Sequence, residues 1–377
     1  MKKQIKLKSF IEVNDTCDFP IENLPYGIIQ PKGYSPRVGV AIGDFALDLS
    51  VLVQEGLLKL PINCETVFDQ VSLNSFAQLG RPVWLDVRIQ IQNLLSIDNP
   101  TLKDNLSLRK KAFWNQIDID LLLPFSIGGY TDFYASQVHA TNIGRIYRGE
   151  ENALMPNWKH IPIAYNGRAS SVIVSGTPVV RPKGQIKSPT NPAPTFEVSK
   201  KLDIEVEVGF FIGKNSQLGK PISATDANEY IFGLVLLNDW SARDIQAWEY
   251  QPLGPFLGKS FATTISPWVV PILALEEAMV ELQSHDPEPL PYLRGTQYGY
   301  DIEITAELKP SGPAPENWGS LVERSYNGKE CIPIANNEDR TFLLDGDEVI
   351  LHGSAVCNGS RIGFGQALGR VLENSEK

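Results

Sequence analysis

Acids occupy every second position in Leu202-Asp203-Ile204-Glu205-Val206-Glu207-Val208. Side chains alternate across a strand, so Asp203, Glu205 and Glu207 would share one face and Ile204, Val206 and Val208 the other. Phe210 and Phe211 follow at once, which argues for a strand of the core. Carboxylates crowded away from water resist ionising unless a cation, a basic partner or acid–base work relieves them. Spacing alone leaves Glu205 and Glu207 divided between a solvated face and a working site. In Asp132-Phe133-Tyr134-Ala135-Ser136-Gln137-Val138-His139 a carboxylate, a phenol and an imidazole fall in one short stretch. Imidazole is the default general base near neutral pH. A surface or capping role is the plain alternative, and the one favoured for His160, His285 and His352. Asp239 stands where the apolar run 231–237 gives way to a turn, with a helix cap as its alternative role. If Asp132, Glu205, Glu207 and Asp239 converge, the all-oxygen set suits Mg²⁺ or Ca²⁺, whereas zinc would want His or Cys. Gly258-Lys259-Ser260 resembles the end of a phosphate-binding loop, but that pattern needs glycine where Leu253 stands. Nucleotide binding is rejected, and Lys259 beside a metal site could instead stabilise an enolate or oxyanion.

The elements that must position these groups are mostly strands. Arg37-Val38-Gly39-Val40-Ala41-Ile42, then Gly43-Asp44, then Phe45-Ala46-Leu47-Asp48 reads as a hairpin. Helical patterns follow at 83–95 and 106–116. Residues 121–200 read as loop-rich because of their prolines, and loops that carry Asp, Tyr, His and Arg often hold a site. A buried strand over 231–237 leads to a helix near Ser241. Alternating strands follow at 300–308, 342–351 and 360–371. The 377 residues suggest two or three domains, with residues 1–120 as one unit lacking any catalytic cluster. The net charge of −10 argues against a nucleic-acid partner. It leaves room for a small anionic substrate if a basic residue sits in the site. The four cysteines are scattered and read as reduced thiols. The basic N-terminus lacks an apolar segment after it, and the longest apolar runs are too short to span a bilayer. A soluble, cytoplasmic protein is expected.

Several longer strings carry a family resemblance. Asp132-Phe133-Tyr134 with His139-Ala140-Thr141-Asn142, Glu151-Asn152-Ala153-Leu154-Met155-Pro156-Asn157-Trp158, Gly167-Arg168-Ala169-Ser170-Ser171, Asn238-Asp239-Trp240-Ser241-Ala242-Arg243-Asp244 and Gly254-Pro255-Phe256-Leu257-Gly258-Lys259-Ser260 resemble the fumarylacetoacetase family. The resemblance runs from Asp18-Phe19-Pro20 to Arg361-Ile362-Gly363. It implies a mainly β (α+β) fold with a small SH3-like N-terminal barrel, residues 1–120, and a larger β-rich catalytic domain, residues 121–377, as a homodimer. It implies hydrolysis of a carbon–carbon bond in a diketo acid at the end of tyrosine and phenylalanine breakdown. By motif match, Asp132, Glu205, Glu207 and Asp239 would hold Mg²⁺ or Ca²⁺, and Lys259 and Thr263 fall at positions associated with a second ion. Tyr134, Arg148, Gln246 and Tyr250 match substrate contacts. His139 would be the general base, oriented by Glu323, with Arg243, Gln246 and Lys259 stabilising negative charge. Asp203 matches no ligand position and is expected to be structural. The shorter acylpyruvate hydrolases and oxaloacetate decarboxylases are the competing relatives.

Two departures stand out. Asn166 replaces a common histidine, with little expected effect. Between Lys309-Pro310 and Ser311-Gly312 the family carries several tens of residues that are missing here, among them a substrate-contacting threonine. Loss of a strand and helix should bare apolar surface and a sheet edge, so an impaired form of the enzyme is a third reading. By eye, 300–308, the Pro-Gly turn and 320–325 form a hairpin.

Overall fold

The computed structural model describes residues 7–309, 312–313, 320–334 and 338–375. The Pro310-Ser311 junction lies outside them. The N-terminal hairpin forms as expected, Arg37–Ile42 with Phe45–Asp48, around Gly43 at φ 56°. A side chain is strained at that positive φ, which is why glycine opens the turn. These strands belong to a five-stranded antiparallel sheet in the order Phe113–Asn115, Phe45–Asp48, Arg37–Ile42, Tyr26–Pro31, Ile119–Leu122. The helix Arg81–Leu95 buries Trp84, Val87, Ile91 and Leu95 on one stripe. Of the expected helix at 106–116 only Leu106–Ala112 is helical. Phe113 leaves it as a strand, because pairing with Leu47 completes the sheet.

The larger C-terminal part stacks two five-stranded sheets. One contains Val206–Ile212, Ile231–Asp239, Thr263–Ile265 and Val172–Val174, with Val270–Pro271 also on Ile231–Asp239. The other runs Gly312–Pro313, Ile302–Lys309, Glu348–Cys357, Ser360–Leu372, Val179–Val180. Ile231–Asp239 is apolar at successive positions because both its faces are covered. Leu234 and Leu236 pack in the core between the sheets, whereas Val235 and Leu237 join the core shared with the N-terminal part. The N-terminal segment reaches the far end of the chain. Arg361 donates to Asp18 at 2.8 Å, Asn23 donates to the Gly363 carbonyl at 2.7 Å, and a Cβ on Gly363 would lie 2.1 Å from the Asp18 carboxyl.

Four local expectations need correction. The acidic stretch is two strands, Leu202–Asp203 and Val206–Ile212. The Asp203 carboxylate accepts the Ile204 N–H, and the Glu205 N–H goes to the Asn238 side chain, so the ladder breaks between them. The loop-rich region holds a helix, Gln137–Arg148, capped by Ser136 and closed by Gly149 at φ 83°. Residues Leu321–Arg324 form a helical turn and not a hairpin strand, because Asp203 accepts the N–H groups of Leu321 and Val322. The strand expected at 342–351 is Glu348–Cys357. Among the described residues, Ile302–Thr305 has no strand partner on its outer edge, since only Glu307 and Leu308 pair with Gly312–Pro313.

Candidate active site

A cavity of about 1540 Å³ opens beside the Val206–Ile212 strand. Its lining includes Asp132, Tyr134, His139, Arg148, Glu205, Glu207, Arg243, Gln246, Tyr250 and Lys259, so ten residues named from sequence meet there. Asp239 and Thr263 lie beyond Lys259, on an adjoining cavity of about 470 Å³. Glu323 sits behind His139.

Each group owes its place to a different element. Asp132 lies on the short strand Thr131–Phe133, and Ser136 caps the helix that carries His139. Asp239 ends the central strand, and Arg243 opens the helix Arg243–Glu249, which also bears Gln246. Lys259 stands on the helical turn Leu257–Ser260. The His139 Nδ1 and Glu323 are 2.7 Å apart, and Glu323 is itself held by Asn142 at 3.0 Å and Ser320 at 2.7 Å. The His139 Nε2 faces Glu205 at 3.5 Å. Burial opposes a charge on the imidazole, but hydrogen bonds to Glu205 and Glu323 outweigh it and raise its pKa to about 9.

Glu205 is the hub. It takes Arg243 Nη1 at 2.8 Å and the Lys259 ammonium, which also pairs with Asp239. Burial would raise its pKa, but Lys259, Arg243 and His139 hold it well below the usual carboxylate range. Glu207 is the opposite case. Loss of water and the charges of Asp132, Glu205 and Asp239 push its pKa well above 4.5. Asp239, 1% exposed, is also raised by burial despite Lys259. Lys259 stays charged, because Asp239 and Glu205 outweigh its burial. Tyr165 donates to Asp132 at 2.5 Å and to Asp239 at 3.3 Å, and Tyr130 donates to Asp132 at 3.3 Å. Thr263 donates to Asp239 at 3.4 Å. Arg148 spends donors on the carbonyls of Asn152 and Ala153 while lining the cavity. Arg243 Nη2 is buried and has no hydrogen-bond partner among the described residues.

The donor set fits a hard divalent cation in chemistry and in charge. Four carboxylates, all oxygen donors, act on one another, and burial together with this mutual repulsion raises the pKa values of Glu207 and Asp239 despite Lys259. As the side chains stand, no group of three or more His, Cys, Asp or Glu among the described residues is gathered to hold an ion. The Lys259 ammonium lies between Glu205 and Asp239 instead.

Sequence reasoning missed Tyr130, Tyr165, Asn142 and Ser320. Tyr130 stands two residues before Asp132. Asn142 is one helical turn from His139, and Ser320 is three residues before Glu323. Only spacing could have pointed to these three, and nothing local marks Tyr165.

Comparison with known proteins identifies the family. The profile described as fumarylacetoacetase N-terminal matches residues 22–124, and that described as fumarylacetoacetate (FAA) hydrolase C-terminal matches residues 129–309. The fumarylacetoacetase of Homo sapiens is 47% identical over 414 aligned positions, covering 97% of this chain and 98% of its own. That of Arabidopsis thaliana is 43% identical with the same coverage of both chains. The alignment is longer than this chain of 377 residues, so the human relative carries several tens of residues without a counterpart here. The fold matches that of an HpcE-assigned protein from Mycobacterium smegmatis, with a TM-score of 0.50, 16% identity, and coverage of 92% of this chain and 99% of that one. From end to end, the chain belongs to the fumarylacetoacetate hydrolase family.

Proposed function

We propose that this protein hydrolyses 4-fumarylacetoacetate to fumarate and acetoacetate, the last step of tyrosine and phenylalanine breakdown, as a cytoplasmic, divalent-cation-dependent homodimer. The observation that carries the reading is the Glu323–His139 pair aimed at Glu205 in a cavity that also holds Arg243 and Lys259. The names of the relatives, fumarylacetoacetases at 43–47% identity, supply the substrate.

The chain's own residues divide the work. The raised pKa makes neutral His139 the minor form at pH 7, so the working form grows as the pH approaches about 9. In that form, with Nδ1–H held by Glu323, Nε2 takes a proton from water, and the hydroxide adds to the fumaryl carbonyl. The bond to the acetoacetyl carbon breaks with its electron pair leaving on that carbon as an enolate, which the protonated His139 can then quench. Arg243, with its spare Nη2, and Lys259 line the cavity and would stabilise the negative charge that develops. Gln246 spends its carbonyl on Arg243, so its amide N–H groups remain to donate. Arg148 supplies positive charge for a substrate carboxylate. Mg²⁺ or Ca²⁺ held by Asp132, Glu205, Glu207 and Asp239, with Lys259 and Thr263 alongside, would polarise the diketone oxygens as a Lewis acid.

The test is loss of fumarylacetoacetate absorbance by the purified protein with Mg²⁺ or Ca²⁺. Activity that His139→Ala lowers by about 10²–10⁴-fold is expected. A folded protein with no turnover under either cation overturns the reading.

A further inference from the structure

We propose that Glu249 is a positioning residue that sets both Lys259 and the mouth of the cavity. Its carboxylate accepts three consecutive backbone N–H groups, from Phe256 at 2.9 Å, Leu257 at 3.1 Å and Gly258 at 2.7 Å. These open the helical turn Leu257–Ser260 that carries Lys259, a turn whose own N-cap residue, Phe256, offers no side-chain cap. Glu249 is also the last residue of the helix Arg243–Glu249. One carboxylate therefore welds the element bearing Arg243 and Gln246 to the element bearing Lys259.

The weld is close. A Cβ on Gly258 would lie 2.8 Å from the Gln246 nitrogen and 3.0 Å from the Ala242 oxygen, so the two backbones touch. The segment between them, 250–256, is pinned at its start by the Gly254 N–H donating to the Tyr250 carbonyl at 2.7 Å. Its far end is pinned by Glu249 and by the turn's own bonds, the Lys259 and Ser260 N–H groups donating to the Phe256 carbonyl. Tyr250, Leu253, Gly254 and Pro255 from this segment line the cavity. Lys259 reaches two carboxylates at once, a geometry with little tolerance, and displacement of a catalytic group by about 1 Å can cost about 100-fold in rate.

The kinetic arm of the test rests on the proposed hydrolysis, whereas acylation of Lys259 by an amine reagent, read by mass spectrometry, needs no substrate. Glu249→Ala is expected to lower kcat about tenfold, to raise KM about fivefold as the mouth loosens, and to speed Lys259 acylation at least about threefold. A partly unfolded population would lower kcat and leave KM unchanged. Glu249→Gln keeps an oxygen for the Phe256 and Gly258 N–H groups, so it should recover kcat to within about threefold of the parent protein. Glu249→Ala indistinguishable from the parent, or Glu249→Gln no better than folded Glu249→Ala, overturns the proposal. Should the alanine variant not fold, Glu249→Asp, one methylene shorter, carries the test through Lys259 acylation, and an unchanged rate overturns it. If the parent protein does not hydrolyse the diketo acid, acylation alone still decides the role of Glu249.

Discussion

Asp203 and Glu207 stand four residues apart in one acidic stretch, and the fold treats them in opposite ways. Asp203 is fully buried and accepts four donors: the N–H groups of Ile204, Leu321 and Val322, and Arg243 Nε at 2.7 Å. Glu207 lines the cavity among other carboxylates, whose charges, with burial, raise its pKa more than Lys259 lowers it. Burial raises the pKa of both, but Arg243 and the backbone donors oppose the rise at Asp203, whereas other carboxylates add to it at Glu207. A structural acid is one whose charge the surrounding chain answers. A functional acid is one left in debt to something that arrives later.

The largest effect expected from this contrast is on Asp203. Asp203→Ala takes the carboxylate from Arg243 Nε, leaving that buried guanidinium only Glu205 as a counter-charge, and uncaps the turn that bears Glu323, so it should destabilise the protein by about 3 kcal/mol, measured by urea unfolding. A loss under about 1 kcal/mol would break the distinction. Glu207→Gln should do the reverse. Its folded pKa is raised well above 4.5, so its charge costs stability once the pH passes that value. In EDTA at pH 7 the variant should be more stable than the parent protein. It should also lose the rise in Tm that Mg²⁺ or Ca²⁺ gives the parent protein, which thermal scans with and without the ion will show.

The smallest expected effect concerns His139. Its folded pKa is raised, so its contribution to stability is complete below about 6.5 and is lost as the pH rises through about 9. Proton NMR of the EDTA-treated protein should show the imidazole titrating near 9, and Glu323→Gln should lower that value by about one unit. An unmoved value would mean that Glu205 alone sets it.

Much of the site was legible in the residues, but not its internal wiring. The run 231–237 ending in Asp239 is a buried strand in the structure, because uninterrupted apolar residues of that length need cover on both faces. Alternation marked the acids at 205 and 207 and also suggested one strand. The break at 204–205 depends on Asn238 and Leu321, far along the chain, and local pattern has no access to them. The helix Gln137–Arg148 is amphipathic but low in apolar residues, and the prolines that follow it drew the whole region toward a loop reading. Pairing of Lys259 with Glu205 and Asp239, and the grip of Glu249 on the turn before it, are tertiary facts that residue types do not announce.

The bonds from Asp18 and Asn23 to Arg361 and Gly363 bear on how this protein is made. They join residues 340 and 343 apart in sequence, and closing such a distance is slow compared with any local pairing. During synthesis the first strands can form their own sheet. The seam they offer the rest of the molecule stays open until the final strand, Ser360–Leu372, has cleared the ribosome. The apolar face of the N-terminal part is already covered by residues between 172 and 269, so what waits for that strand is a polar clasp that locks the two parts together.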